Sequence, residues 1–297
     1  MTVLGRNKLT IGVDIGSETL RAVAIRRDGT KCEVVAAVES VRTPNHPVPT
    51  AIDVQRLSQA LERQGVIAKE FVVGAPPERL MASMLELPPR SSGAPIESLA
   101  QAEIAKSLPG SFESCIMDLP ESARQKTTEY FALAFSHEAA SDLLSPFESE
   151  GIRVAAIEPD VTALSRVTGA NNRVVLDVGK RGARLYAYEG KNTLFARCTP
   201  HAEGKSDPSS IVSGFVGTID YLVNRFQGLE DATLIVLGQP NLYERVKAVL
   251  LDEFDADITN NLVVDLASSG AVRGCTFDSR WASAIGLATR TSEKEAA

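Results

Sequence analysis

The chain has 297 residues, with 31 Lys and Arg against 38 Asp and Glu, a net charge of −7 and 44% apolar residues. That balance excludes a disordered chain, a collagen and a coiled coil, and an acidic chain with few aromatics argues against nucleic acid as a partner, which needs a basic face. No apolar run approaches the ~20 residues of a membrane-spanning helix, and the length fits two domains or one large one.

In chain order, the N-terminal residues Met1 to Thr10 lack the apolar core of a signal peptide. Two β-branched runs then flank the turn Gly16-Ser-Glu-Thr19, which predicts a hairpin. Asp28-Gly29 is a second turn, and 32–41 reads as a third strand. A proline-rich loop leads to a helix capped by Asp53, with Val54, Leu57 and Leu61 on its apolar face. A short strand covers 70–74. From residue 80 the pattern strand, helix, strand, strand, helix, strand suggests a split βαβ unit inserted into the first domain, ending with the strand 152–157. A helix starting at Glu158-Pro-Asp160 leads to a boundary at Gly169 to Asn172.

The opening pattern then recurs. At a constant offset of 163 residues, Asp14 meets Asp177, Gly16 meets Gly179, Arg21 meets Arg184 and Ala24 meets Ala187. Such a repeat implies two like domains with their Asp-x-Gly turns facing each other across a cleft. A further strand, a helix over 209–226, a buried strand ending at Gly238, an amphipathic helix over 242–254, a small-residue helix over 281–288 and a polar tail from 291 complete the chain. The cysteines Cys32, Cys115, Cys198 and Cys275 have no close spacing, and His46, His137 and His201 are scattered. This excludes a disulfide framework and a zinc site and indicates reduced thiols in a cytoplasmic protein.

An Asp-x-Gly-Ser turn between strands can bind phosphate. Glycine lets the backbone approach, N–H groups and hydroxyls hold the oxygens, and the aspartate directs Mg²⁺. Candidate nucleotide contacts are therefore Asp14, Gly16, Ser17, Thr19, Asp177, Gly179, Lys180 and Gly238, with Asp14 and Asp177 as the Mg²⁺-directing pair. Two such turns and a strand ending in glycine form a layout of the actin and sugar-kinase type.

At these residues the sequence resembles the PilM family, the actin-like, FtsA-related proteins of type IV pilus assembly. The segments that carry the resemblance are Ile11 to Val23, Val72-Val-Gly-Ala-Pro-Pro-Glu-Arg79, Leu85-Glu-Leu-Pro-Pro89, Asp118-Leu-Pro120, Gly151 to Pro159, Val175-Leu-Asp-Val-Gly179 and Ala282 to Ala288, all in the family's order. The resemblance implies an α/β fold of two actin-like, ribonuclease-H-like lobes around a cleft. The first lobe would comprise 1–79 and 158–170, an inserted FtsA-type subdomain 80–157, and a reduced second lobe 171–297. It implies ATP and Mg²⁺ as cofactors. It also implies a cytoplasmic scaffold at the inner membrane that binds the N-terminal cytoplasmic peptide of a PilN-like membrane protein, with self-association allowed.

The sequence departs from the family in three places. The second phosphate turn, Lys180-Arg181-Gly182-Ala183, lacks hydroxyls. Gly238 is followed by Gln239-Pro240, and proline fixes φ and removes a donor. The stretch from Cys198 to Ser209 is too short for the small subdomain that covers adenine. These departures imply weak nucleotide binding, and no residue is assigned a water-orienting role, so the chain reads as a pseudo-ATPase without catalytic residues. The alternative is an active ATPase or a sugar-kinase-like phosphotransferase. For the peptide, Leu85, Leu87, Ile96 and Leu99 are the candidate groove residues.

Overall fold

The computed structural model describes residues 8–28, 31–67, 69–120, 128–180, 182–200, 207–255, 257–262 and 278–290. The turn at Gly29, Arg181, the segment 201–206, Cys275 and the tail from 291 lie outside them.

The chain opens with three antiparallel strands, β1 (Lys8–Ile15), β2 (Thr19–Asp28) and β3 (Lys31–Val41). Helix α1 (Ala51–Arg63) follows and carries Val54, Leu57 and Leu61 fully buried, as the periodicity predicts. Its cap differs from the expectation. Thr50 is the N-cap, and Asp53 sits three residues on, accepting from the Thr50 N–H at 2.9 Å while the Thr50 hydroxyl accepts from the Asp53 N–H. This is a capping box: the extended residue is Thr50, and Asp53 satisfies it from within the first turn. Strand β4 (Glu70–Ala75) then pairs parallel to β1.

The chain next leaves this sheet for β5 (Leu80–Leu87), α2 (Ile96–Ser107), β6 (Phe112–Asp118) and β7 (Thr128–Ser136), which form a separate three-stranded sheet in the order β5-β7-β6. It returns with α3 (His137–Ser149) and β8 (Arg153–Pro159). The split βαβ unit expected over 80–157 is corrected here. Strand β8 pairs parallel with β4, giving the first sheet the order β3-β2-β1-β4-β8. Helix α3 lies against the same lobe, with the Phe147 and Phe71 rings edge-on, centroids 5.9 Å apart. Strand periodicity cannot show which sheet a strand joins, because both sheets offer it an apolar face.

Helix α4 (Asp160–Ser165) leads to the second lobe: β9 (Arg173–Val178), β10 (Gly182–Glu189), β11 (Asn192–Pro200), α5 (Pro208–Arg225), β12 (Thr233–Gly238), α6 (Pro240–Glu253), β13 (Ile258–Thr259) and α7 (Ala282–Ala288). Its sheet has the order β11-β10-β9-β12-β13. Element for element, this is the first sheet without the excursion: an antiparallel meander, a helix, a parallel strand, a helix and a second parallel strand. Pro240, expected to distort the base side, occupies the first turn of α6, where its missing N–H costs no bond.

The two lobes meet at α4 and α7. Leu287 of α7 packs with Val72 and Ala163, while Val161 and Leu164 of α4 belong to a core cluster that fills the second lobe and takes in Val23, Ile25, Val34 and Ala37 of the first. Backbones approach closely where α7 meets α4 and β1. A Cβ on Gly286 would fall on the Ala163 carbonyl oxygen, and one on Gly12 on the Ala284 carbonyl oxygen. Both glycines are required by contact rather than by turn geometry.

The three-stranded sheet is apolar on both faces, as its alternation dictates. Leu85, Ala132 and Ala134 pack under α2 with Ala100 and Ile104. Phe131 and Leu133 point the other way, into the core cluster of the second lobe, joined by Leu80, Met84 and Met117. The insert therefore also packs against the second lobe. A buried ion pair reinforces the contact: Arg225, at the end of α5, donates from Nε to the Glu129 carboxylate of β7 at 2.9 Å and from Nη2 to the same oxygen.

Candidate functional site

The repeated turns are built alike. In the first, the Gly16 N–H donates to the Thr19 carbonyl at 2.9 Å; in the second, the Gly179 N–H donates to the Gly182 carbonyl at 2.9 Å. A two-residue connection holds each hairpin and fixes its register. The register places Asp14 opposite Arg21 and Asp177 opposite Arg184. Arg21 Nη1 lies 3.4 Å from Asp14 Oδ2, and Arg184 Nη1 lies 3.4 Å from Asp177 Oδ2.

The turns face each other, as the repeat predicts. Lys180 Nζ of the second turn lies 2.5 Å from Glu18 Oε2 of the first. Asp14 is near enough to raise Asp177, whose pKa burial lifts first of all, against the pull of Arg184. Ser17 lies in the first turn and Thr19 opens β2. Gly238 ends β12 beside the second turn with φ +131°, where a Cβ would fall on the Val178 carbonyl oxygen. Its N–H donates to the Ser279 hydroxyl at 3.3 Å, and that hydroxyl donates back to the Gly238 carbonyl at 3.1 Å.

Asp160, Arg184, Arg21 and Arg42 complete the cleft, with Tyr186 and Glu39 as their partners, and none has a role there in the sequence analysis. Asp160, the first residue of α4, receives a hydrogen bond from Tyr186 Oη at 2.6 Å and one from Arg184 Nη1 at 3.1 Å, both on Oδ2. Asp160 Oδ1 is buried with no hydrogen-bond partner. Burial pushes the Asp160 carboxyl up to about 6, against Arg184 and the Tyr186 hydrogen bond. Burial also works against the Arg184 charge, but Asp160 and Asp177 hold its pKa above the usual guanidinium value. Arg21 is likewise raised despite burial, by Asp14 and by Glu39, whose Oε2 accepts from its Nε at 2.7 Å. Arg42 ties down the first turn from behind, donating from Nη1 to the Gly16 carbonyl at 2.7 Å and from Nη2 to the His46 carbonyl at 2.9 Å. The signal for Arg21 and Arg184 was in the sequence, since both belong to the 163-residue repeat. Asp160 gave no signal, because only the placement of α4 brings it to β10.

Chemically, the cleft is a lattice of three aspartates threaded by two guanidiniums. Among the described residues no three Asp, Glu, His or Cys side chains are placed to hold a metal ion together. The thiols of Cys32, Cys115 and Cys198 are unpaired with one another. Of the candidate groove residues, Leu85 and Ile96 are buried, while Leu87 and Leu99 are partly exposed. Among the described residues no helix is long and apolar enough to cross a membrane.

No protein-family model and no curated protein matches the sequence. Solved structures do match. A chain of the PilM-PilN type IV pilus biogenesis complex aligns with a TM-score of 0.66 and 15% identity, covering 94% of this chain and 97% of that one. The ethanolamine utilization protein EutJ from Carboxydothermus hydrogenoformans aligns at 0.55 and 11%, covering 97% and 92%. The cytoplasmic domain of EpsL, an inner-membrane component of the type II secretion system of Vibrio cholerae, aligns at 0.53 and 10%, covering 96% and 97%. At these identities the likeness is one of fold, and it runs through both lobes and the insert. The chain thus has the two-lobed actin-like α/β fold, PilM-like in its architecture, that it shares with these structures.

Proposed function

We propose that this chain is an actin-like scaffold of a type IV pilus or type II-like secretion system. It acts at the cytoplasmic face of the inner membrane, held there by a PilN-like membrane protein whose short N-terminal cytoplasmic peptide it binds. The observation that carries this reading is the match over nearly the whole of both chains to a component of the PilM-PilN complex, with the EpsL likeness pointing to the same class of machinery. An extended peptide would gain main-chain bonds from a sheet edge and specificity from side-chain pockets. The partly exposed Leu87 and Leu99 are the accessible members of the groove set.

In the same reading the cleft holds ATP weakly and does not turn it over. Asp14, Gly16, Ser17 and Thr19 would face the phosphates from one side, and Asp177, Gly179, Lys180 and Gly238 from the other. The aspartates are already engaged with arginines, and Lys180 with Glu18.

The test is a titration of a labelled PilN-like N-terminal peptide into the full chain, followed by fluorescence anisotropy. Saturable binding, weakened by Leu87→Asp or Leu99→Asp, supports the reading. No saturation, together with ATP turnover in Mg²⁺ above a heat-treated control, would instead establish the ATPase alternative.

A further inference from the structure

We infer that Arg184 is a built-in cation of the cleft. It supplies the positive charge that the aspartates would otherwise take from a divalent ion. The inference rests on the reading above and deepens its account of the nucleotide site.

Three observations carry it. Arg184 bridges aspartates from different parts of the fold, with Nη1 3.1 Å from Asp160 Oδ2 on α4 and 3.4 Å from Asp177 Oδ2 on β9. Both carboxylates are well buried, at 5% and 19% side-chain exposure, and Arg184 itself is 15% exposed. Buried carboxylates this close need a counter-charge, since an uncompensated one costs several kcal/mol. Second, the arrangement is repeated: Arg21 serves Asp14 from the corresponding place in the first hairpin. Each candidate metal-directing aspartate thus has its own guanidinium in hairpin register. Third, no group of three metal-ligating side chains forms among the described residues, although Asp14, Asp160 and Asp177 act electrostatically on one another. Arg184 lies between Asp160 and Asp177, and Arg21 occupies Asp14. A guanidinium suits this task because its planar fork can serve two carboxylates at once. The residues present therefore do not fit a Mg²⁺ ion directed by Asp14 and Asp177.

The experiment uses the ion alone, without nucleotide or peptide, so that failure of the partner reading and failure of this inference are told apart. Mn²⁺ is titrated into the full chain and followed by its electron paramagnetic resonance signal and by thermal unfolding. The wild type is expected to leave Mn²⁺ free and its melting temperature unmoved. Arg184→Gln, which frees Asp160 and Asp177, is expected to bind Mn²⁺ and to melt a few degrees higher when it is present. Two results overturn the inference: Mn²⁺ binding by the wild type that is lost in Asp177→Asn, or a folded Arg184→Gln that ignores the ion. Should Arg184→Gln fail to fold, the comparison of wild type with Asp177→Asn decides alone.

Discussion

Arg184 pairs with Asp177 across the second hairpin in the register in which Arg21, 163 residues earlier, pairs with Asp14 across the first. The two lobes therefore agree in their charge chemistry as well as in strand order, and they differ mainly in what each arginine touches next. Arg21 reaches outward to Glu39 on β3, whereas Arg184 reaches inward to Asp160 at the lobe junction. The second lobe's pair is consequently the one tied to the packing between lobes.

Asp160 gives this junction a pH dependence. Its carboxyl is raised from an ordinary value of 3.8 to about 6, mainly by burial. The folded state thus binds the proton more tightly than the unfolded state, and the Asp160 contribution to stability falls as pH rises from about 4 to about 6, then stays level. Asp160→Asn removes the titration. Its stability relative to wild type should improve by about 2 kcal/mol between pH 4 and pH 7. Urea unfolding of both proteins at the two pH values measures this, and parallel curves would show that Asp160 is not raised.

The insert is fixed to the second lobe by Glu129 and Arg225, with side-chain exposures of 8% and 7%. Glu129→Ala should cost about 3–5 kcal/mol, because it leaves the Arg225 charge buried and unmatched. Replacing both residues together, Glu129→Leu with Arg225→Met, should recover most of that loss. Denaturant midpoints for Glu129→Leu alone, Arg225→Met alone and the double variant form the check, and additive losses would show that the pair is not coupled.

Where α7 lies against β1 and α4, Gly12→Ala and Gly286→Ala should each destabilise by about 1–3 kcal/mol or more, since the added carbon meets backbone that cannot yield. Gly214→Ala on α5, where an added Cβ meets nothing, is the control and should be neutral or slightly stabilising. Melting temperatures of the three variants rank them, and equal values would contradict the close approach.

The capping box of α1 carries its own signature. The Asp53 carboxyl is held below its usual range: burial opposes this, but hydrogen bonds from Thr50 and Thr43 outweigh it. Its contribution is present above the ordinary carboxylate pKa and is lost as pH falls. Asp53→Ala should cost about 1–2 kcal/mol near neutral pH, with the deficit shrinking in acid. A deficit that does not change with pH would mean that the charge plays no part.

The sequence by itself determined the two lobes, the hairpins and their facing turns, because these follow from strand alternation, glycine at fixed offsets and a repeat of constant length. The buried face of α1 was equally legible from helical spacing. Where α3 and β8 belong was decided only by tertiary structure, since an amphipathic strand fits either sheet and the choice depends on the partner that β4 presents. The cleft chemistry was decided there too. Asp14 and Asp177 stand out in the sequence as free metal-directing groups, and their engagement depends on side chains one hairpin register away and, for Arg184, on a helix that contributes Asp160 from 24 residues upstream. Charge partners are set by distance in space, which falls off over a few ångströms and which linear spacing does not encode.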